Sequence, residues 1–204
     1  MQMKSSWFLW AAVAVLAMLA GFYLAQRTSE SVPQLTSGTW FPQPRPIENF
    51  ALTDETSQPF TLDTLKGHPT LVFFGFTHCP DVCPTTLAQL AQIAQTANVP
   101  QLRVLLVSVD PTRDTPEVLQ QYVHAFDPSF KGVTGDPAQI ERLAKEFGVA
   151  IARVDLSGGD YTVDHSAAVF LLDSQARRVA VFTPPFEVRP MAADLRNVAD
   201  RLTG

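Results

Sequence analysis

The pattern of apolar and polar positions divides the chain into a short N-terminal part and a longer C-terminal part. Near the start, residues 7–25 form one uncharged run rich in Ala, Val, Leu and aromatic side chains. As a helix this run would be about 28 Å long, close to the hydrocarbon thickness of a bilayer. We therefore expect residues 1–27 to form a transmembrane anchor. A cleaved signal peptide is the alternative, but the run is long for one and no small-residue cleavage site follows it.

The segment after this run is polar and rich in proline. Residues 28–46 contain four prolines and show neither a helical nor a strand period, so we expect a flexible linker. Lys4 precedes the apolar run and Arg27 follows it. Because the N-terminal flank is so short, we expect the larger domain to face the periplasm from the inner membrane.

The remaining residues, 47–204, alternate between short apolar runs and amphipathic segments. The runs at 71–76 and 104–109 are continuous and apolar, as in central strands that are buried on both faces. Further strands are expected as a pair of short strands within 50–62 and as a final hairpin at 168–172 and 179–182. Helices are expected from 83 to 98, from 115 to 126, from 136 to 147 and from 191 to 202.

Caps mark two of these helices, because Thr115-Pro116 and Asp136-Pro137 each supply an N-cap followed by a first-turn proline. Strands that alternate with helices predict an α/β fold with a central sheet flanked by helices. The final hairpin makes that sheet mixed. The carboxyl ends of neighbouring parallel strands share one edge, so we expect the loops at 77–83 and 110–114 to be neighbours.

Composition removes several classes of function. The 204 residues carry a net charge of −5 and include no basic cluster, so a nucleic-acid partner is not expected. The chain has only two cysteines, which excludes a disulfide-stapled scaffold and a four-cysteine zinc site.

Both cysteines lie just after the first buried strand, in the run Thr-His-Cys-Pro-Asp-Val-Cys-Pro at 77–84. Cys83 begins the following helix, whose N-terminus favours a thiolate. Four positions apart, the sulfurs of Cys79 and Cys83 can converge on one metal ion or bridge as a disulfide. Two buried structural cysteines, or a static disulfide, are the alternatives.

His165 is the histidine best placed to complete a metal site, because it directly precedes the expected strand at 168–172. The other three histidines are expected to be solvated or turned away from the cysteines: His68, His78 and His124. Two thiolates and one imidazole suit copper, as Cu(I) or Cu(II), whereas zinc would need a fourth ligand. Asp164, next to the histidine, is expected to orient or screen its ring.

The run Phe-Gly-Phe-Thr-His-Cys-Pro-Asp-Val-Cys-Pro-Thr at 74–85 resembles the signature of the Sco/SenC family. These are membrane-anchored, thioredoxin-like copper proteins that help assemble cytochrome c oxidase. The segments at 108–116, 132–135 and 163–167 agree, so the resemblance covers roughly residues 50–182. Ala176 departs from the glycine expected in the final hairpin turn.

The resemblance implies a thioredoxin-like fold in which Cys79, Cys83 and His165 are copper ligands. It also implies two protein partners, an upstream copper donor and the oxidase subunit that accepts copper at its dinuclear centre. The expected function is that of a copper metallochaperone for this subunit.

A thiol–disulfide oxidoreductase is the alternative function, with Cys79 and Cys83 as the catalytic pair that reduces the subunit's cysteines before metallation. Against it, the spacing is Cys-x-x-x-Cys rather than the usual Cys-x-x-Cys. A peroxiredoxin is disfavoured, because Phe76 lies three residues before Cys79, where a peroxidatic site needs threonine.

Overall fold

The computed structural model describes residues 5–28 and 32–203, which belong to two compact units. The first unit ends at Val32 and contains helix α1 (Ser5–Thr28), and the second begins at Pro33. Among the described residues, no helix is both long and apolar enough to cross a membrane. The transmembrane helix expected at 7–25 is therefore not found among them.

The second unit is built on a mixed eight-stranded sheet. Two further strands, β7 and β8, lie outside this sheet. In chain order the strands of the unit are β1 (Gly38–Arg45), β2 (Ala51–Asp54), β3 (Pro59–Thr61), β4 (Thr70–Gly75), β5 (Arg103–Ser108), β6 (Lys131–Thr134), β7 (Ile151–Asp155), β8 (Tyr161–His165), β9 (Val169–Leu172) and β10 (Arg178–Phe182). The sheet has the order β1-β10-β9-β4-β5-β6-β2-β3. Its three central strands β4, β5 and β6 are parallel and the remaining pairings are antiparallel.

Helices connect and cover these strands: α2 (Leu62–Leu65), α3 (Val82–Ala97), α4 (Pro116–His124), α5 (Pro137–Phe147), α6 (Val188–Asn197) and α7 (Ala199–Leu202). The two predicted caps are confirmed. The side chain of Thr115 accepts a hydrogen bond from the amide of Val118, and that of Asp136 accepts one from Gln139. The single last helix expected at 191–202 is interrupted at Val198, which separates α6 from α7.

Strands β4 and β5 form the centre of the core. Every residue of β4 and all but the first of β5 are buried, as expected for strands with helices on both faces. The pairing runs in register from Thr70 opposite Arg103 to Gly75 opposite Ser108. Beyond it, the amide of Val109 donates to the carbonyl of Gly75 at 2.9 Å. The loops that follow the two strands therefore start side by side, which confirms their predicted proximity.

The prediction of a flexible linker at 28–46 is wrong for its second half, where residues 38–45 form the strand β1. This edge strand pairs antiparallel with β10, and Trp40 packs against the core. The strand was not predicted because its prolines are typical of a linker. Prolines are tolerated on an edge strand, where one side of the backbone needs no hydrogen-bond partner. Residues 29–31 of the expected linker lie outside the described residues.

The sequence pattern does not predict the hairpin of β7 and β8, which turns at residues 156–160. The amide of Leu156 donates to the carbonyl of Asp160 at 2.8 Å and closes this turn. The two strands form a separate two-stranded sheet. Most of β7 is exposed, so its sequence lacks the apolar alternation of a half-buried strand.

Asp194 on α6 fastens the start of the second unit. Its carboxylate, only 1% exposed, accepts hydrogen bonds from the amides of Thr36 and Ser37 at 2.8 and 2.7 Å. The hydroxyl of Ser37 donates a third bond at 2.7 Å. These contacts join residues that are 157 and 158 positions apart and hold the chain just before β1.

We expect Asp194→Ala to lower the free energy of unfolding by about 3 kcal/mol, because it removes the buried, charged acceptor of three hydrogen bonds. Urea denaturation of the variant and of the parent chain measures this difference. Glu141→Ala, a change at an exposed carboxylate on α5, is the matched control and should leave the midpoint unchanged. Equal stability of the Asp194 variant and the parent would contradict the role of this carboxylate.

Candidate metal centre

Cys79, Cys83 and His165 meet at the carboxyl-terminal edge of the parallel strands. Their potential ligand atoms all lie within 4.8 Å of one another, and Nε2 of His165 is 3.4 Å from Sγ of Cys83. Each residue comes from a different segment: the loop after β4, the first turn of α3 and the end of β8. Both cysteines are free thiols. Two sulfurs and an imidazole nitrogen at such distances form a group that fits one metal ion.

Asp114 holds the cysteine loop in place. This carboxylate is fully buried and accepts hydrogen bonds from the hydroxyls of Thr77 and Ser108, both at 2.6 Å. The amide of Thr77 donates to it as well, at 3.2 Å. Burial raises the pKa of Asp114, and these donors oppose that rise. Sequence reasoning missed this role, because a carboxylate next to Thr115-Pro116 looks like part of a helix start.

Cys83 does not have the favoured thiolate that its place at a helix N-terminus led us to expect. The side chain is fully buried, and this burial raises the pKa of its thiol. The backbone amide of Cys83 points instead at Sγ of Cys79, at 3.4 Å. The donor at the helix start therefore serves Cys79, whose side chain is partly exposed.

Gly75 makes room for the sulfur of Cys83. A Cβ atom at this position would lie 3.0 Å from that sulfur and 2.9 Å from the ring of Phe73. Both distances are shorter than ordinary van der Waals contacts. A glycine inside an apolar strand is the signal that could have predicted this close approach.

The ring of His165 is oriented by its own neighbour in the chain. Its Nδ1 lies 3.2 Å from the carbonyl oxygen of Ser166, and because a carbonyl only accepts, Nδ1 carries the proton. The lone pair of Nε2 is then directed towards Cys83. Rings of Phe73 and Phe76 pack edge-on against the imidazole at 5.9 and 6.0 Å. Burial lowers the pKa of His165, which favours the neutral form that binds metals.

Asp164 does not orient this ring, which is the first of the two roles predicted for it. Successive residues of a strand point to opposite faces, so Asp164 is exposed while His165 faces the cysteines. The carbonyl of Ser166 takes the expected role, and the charge of Asp164 only opposes the fall in the pKa of His165. The other histidines lie outside the group, as predicted: His68, His78 and His124.

Comparison with known proteins agrees with this arrangement. The model of the SCO1/SenC family matches residues 42–200, which is more than half of the chain. The chain belongs to the SCO1/SenC family. A curated relative, an SCO2-like protein of Rickettsia prowazekii, is 39% identical over 137 residues, which cover 65% of this chain and 67% of the relative.

Solved structures of SCO1/SenC proteins share the fold. Bradyrhizobium japonicum ScoI, solved with copper bound, is 39% identical, with a TM-score of 0.68 over 74% of this chain and 98% of that one. Yeast Sco1, also solved with copper bound, is 29% identical, with a TM-score of 0.70 over 77% of this chain and 90% of that one. The predicted α/β, thioredoxin-like fold is therefore confirmed.

The departure noted in the final hairpin turn has a structural counterpart in this SCO1/SenC chain. Ala176 lies in the turn between β9 and β10 and adopts a φ of 59°, in the left-handed region that glycine occupies without strain. Its amide donates to the carbonyl of Asp173 at 2.9 Å. Alanine therefore occupies a left-handed position in this turn, which lies in a segment separate from the three candidate ligands.

We expect Gly75→Ala to lower the free energy of unfolding by about 1–3 kcal/mol, because the added methyl group overpacks the space that Cys83 occupies. Urea denaturation measures the loss. The same change in a Cys83→Ala background should cost less, since the sulfur is then absent. Equal losses in the two backgrounds would show that contact with this sulfur is not the reason for glycine at position 75.

Proposed function

We propose that this SCO1/SenC protein binds one copper ion through Cys79, Cys83 and His165 and delivers it to a cytochrome c oxidase subunit. The observation that carries the proposal is the convergence of two sulfurs and one imidazole nitrogen within 4.8 Å. Soft thiolate ligands with an imidazole select copper, and a closed structural zinc site would need a fourth ligand. Two related proteins solved with copper bound support the same assignment.

The different exposure of the two sulfurs suits a copper ion that is cargo rather than a permanent cofactor. Cys83 is fully buried, whereas Cys79 is partly exposed at the open side of the loop. A ligand of the accepting subunit can therefore reach the ion from the side of Cys79. Each new bond from the acceptor then replaces one bond to this chain, so the copper ion is never left without ligands.

The acceptor that we propose is the dinuclear copper centre of the oxidase subunit, and an upstream donor protein would load the site. The proposed location is the inner membrane, with the second unit on the periplasmic side. Location and anchoring rest on the apolar run at 7–25 alone and stay predictions from the sequence.

Thiol–disulfide exchange is the second candidate function, because the two sulfurs lie close together and one of them is accessible. In that chemistry Cys79 would attack a disulfide of the target, and Cys83 would then displace the reduced target and form a disulfide with Cys79. His165 supplies no bond that this exchange requires. Loss of the histidine therefore separates the two candidate functions.

We expect the purified full chain to bind one copper ion and, when the ion is oxidised, to show absorption from sulfur-to-copper charge transfer. His165→Ala should lower the affinity by roughly 100-fold and change this absorption, because one of three ligands is removed. His124→Ala, which removes a histidine on α4, is the matched control. Unchanged affinity and spectrum in the His165 variant would contradict the ligand assignment.

We expect a strain that lacks this gene to lose oxidase activity and to regain it when copper is added to the medium. A plasmid that encodes His165→Ala should fail to restore activity without added copper, whereas His124→Ala should restore it. Oxidase assays on isolated membranes measure both. Full activity with the His165 variant would reject copper delivery and favour thiol–disulfide exchange.

A further inference from the structure

The three candidate ligands belong to two different parts of the second unit. Cys79 and Cys83 follow a strand of the eight-stranded sheet, whereas His165 ends β8 of the separate hairpin. An isolated two-stranded hairpin is marginally stable at best. The distance between the histidine and the cysteines therefore depends on the side chains that dock the hairpin.

Alternate residues of β8 provide this docking, because they lie on the same face of the strand. Val163 is 6% exposed and belongs to the core, and His165 reaches Cys83. Tyr161, the third residue of that face, lies four positions before the histidine and contacts the loop between β5 and α4. Tyr161 also packs against the core, and its hydroxyl adds a polar contact to the docking of the hairpin.

Two guanidinium groups enclose the ring of Tyr161. The Cζ atoms of Arg113 and Arg153 lie 3.8 and 3.7 Å from the ring centroid, and two groups so close must occupy opposite faces. The hydroxyl of Tyr161 donates to Asp110 at 2.8 Å, and Arg113 also forms an ion pair with Asp110. Arg113 further donates to the carbonyl of Tyr161 at 3.1 Å. We call these four residues the tyrosine clamp.

Two residues of the clamp belong to the loop after β5, and this loop also contacts the segment that carries the cysteines. Asp110 and Arg113 precede Asp114, whose carboxylate accepts the hydrogen bonds of Thr77. Arg113 lies over the ring of Phe76 as well, with its Cζ 5.8 Å from the centroid, and that ring packs against His165. One loop thus contacts both the segment that carries the cysteines and the hairpin that carries the histidine.

We propose that Tyr161 is a positioning residue, which keeps Nε2 of His165 within reach of the two sulfurs by fixing the hairpin to the loop after β5. This inference rests on the proposed copper site. The clamp holds the hairpin that carries the histidine through hydrogen bonds to Tyr161. Its effect on copper is therefore expected to pass through His165.

Tyr161→Leu removes both the stacking and the hydroxyl and should lower copper affinity about 10- to 100-fold, as loss of a group that orients a ligand does. Tyr161→Phe keeps the stacking and should stay closer to the parent chain. Arg153→Ala, a change at an exposed hairpin residue, should weaken binding in the same direction without unfolding the domain. Phe60→Leu, a change at a buried ring on the edge strand β3, which carries no candidate ligand, is the control for general destabilisation.

The decisive comparison uses the double variant Tyr161→Leu with His165→Ala. If the tyrosine acts through the histidine, its loss should have no further effect once the histidine is absent. A full additional loss of affinity in the double variant would overturn the proposal. So would parent-like copper affinity in Tyr161→Leu alone.

Nuclear magnetic resonance of the metal-free full chain gives a readout that does not depend on copper. We expect Tyr161→Leu to shift the ring signals of His165 and to speed hydrogen exchange of the β8 amides, with the signals of β4 and β5 unchanged. Unchanged ring signals of His165 would overturn the positioning role that we propose for Tyr161. If the parent chain bound no copper but these shifts appeared, the proposed function would fail while the positioning role stood.

Discussion

The parallel, in-register pairing of β4 with β5 is the constraint on which the candidate site depends. It places the ends of both strands at one edge, where the amide of Val109 bonds to the carbonyl of Gly75. The loop after β4 carries the two cysteines, and the loop after β5 carries Asp114, which bonds to Thr77. Because the same second loop binds the β7–β8 hairpin through Arg113, this one pairing contributes to the position of every candidate ligand.

The buried edge also affects the protonation of two of the candidate ligands. Burial raises the pKa of Cys83 and lowers that of His165, so both groups favour their neutral forms in the metal-free protein. Gly75 allows the buried sulfur to approach the backbone, and the amide at the start of α3 points at the more accessible sulfur of Cys79. The result is an asymmetric pair, with the sulfur of Cys83 enclosed and that of Cys79 partly exposed, which suits the proposed transfer of a copper ion.

Much of this could be predicted from the sequence, because strong signals coincide with burial. The continuous apolar runs, the capped helices and the proximity of the two loops follow directly from periodicity and strand topology. The strands β1 and β7 could not be predicted, since neither has an apolar alternation that marks a strand. The roles of Asp194 and Tyr161 depend on partners distant in the sequence, which no local pattern reveals. The orienting group of His165 was missed because it is a backbone carbonyl rather than the neighbouring carboxylate.

The most direct test of the account is X-ray absorption spectroscopy at the copper edge of the loaded full chain. The account predicts two sulfur neighbours and one imidazole nitrogen around each copper ion, and loss of the imidazole signal in His165→Ala. A site with sulfur ligands only, or an imidazole signal that persists in the His165 variant, would contradict the claim that the hairpin histidine completes the metal centre.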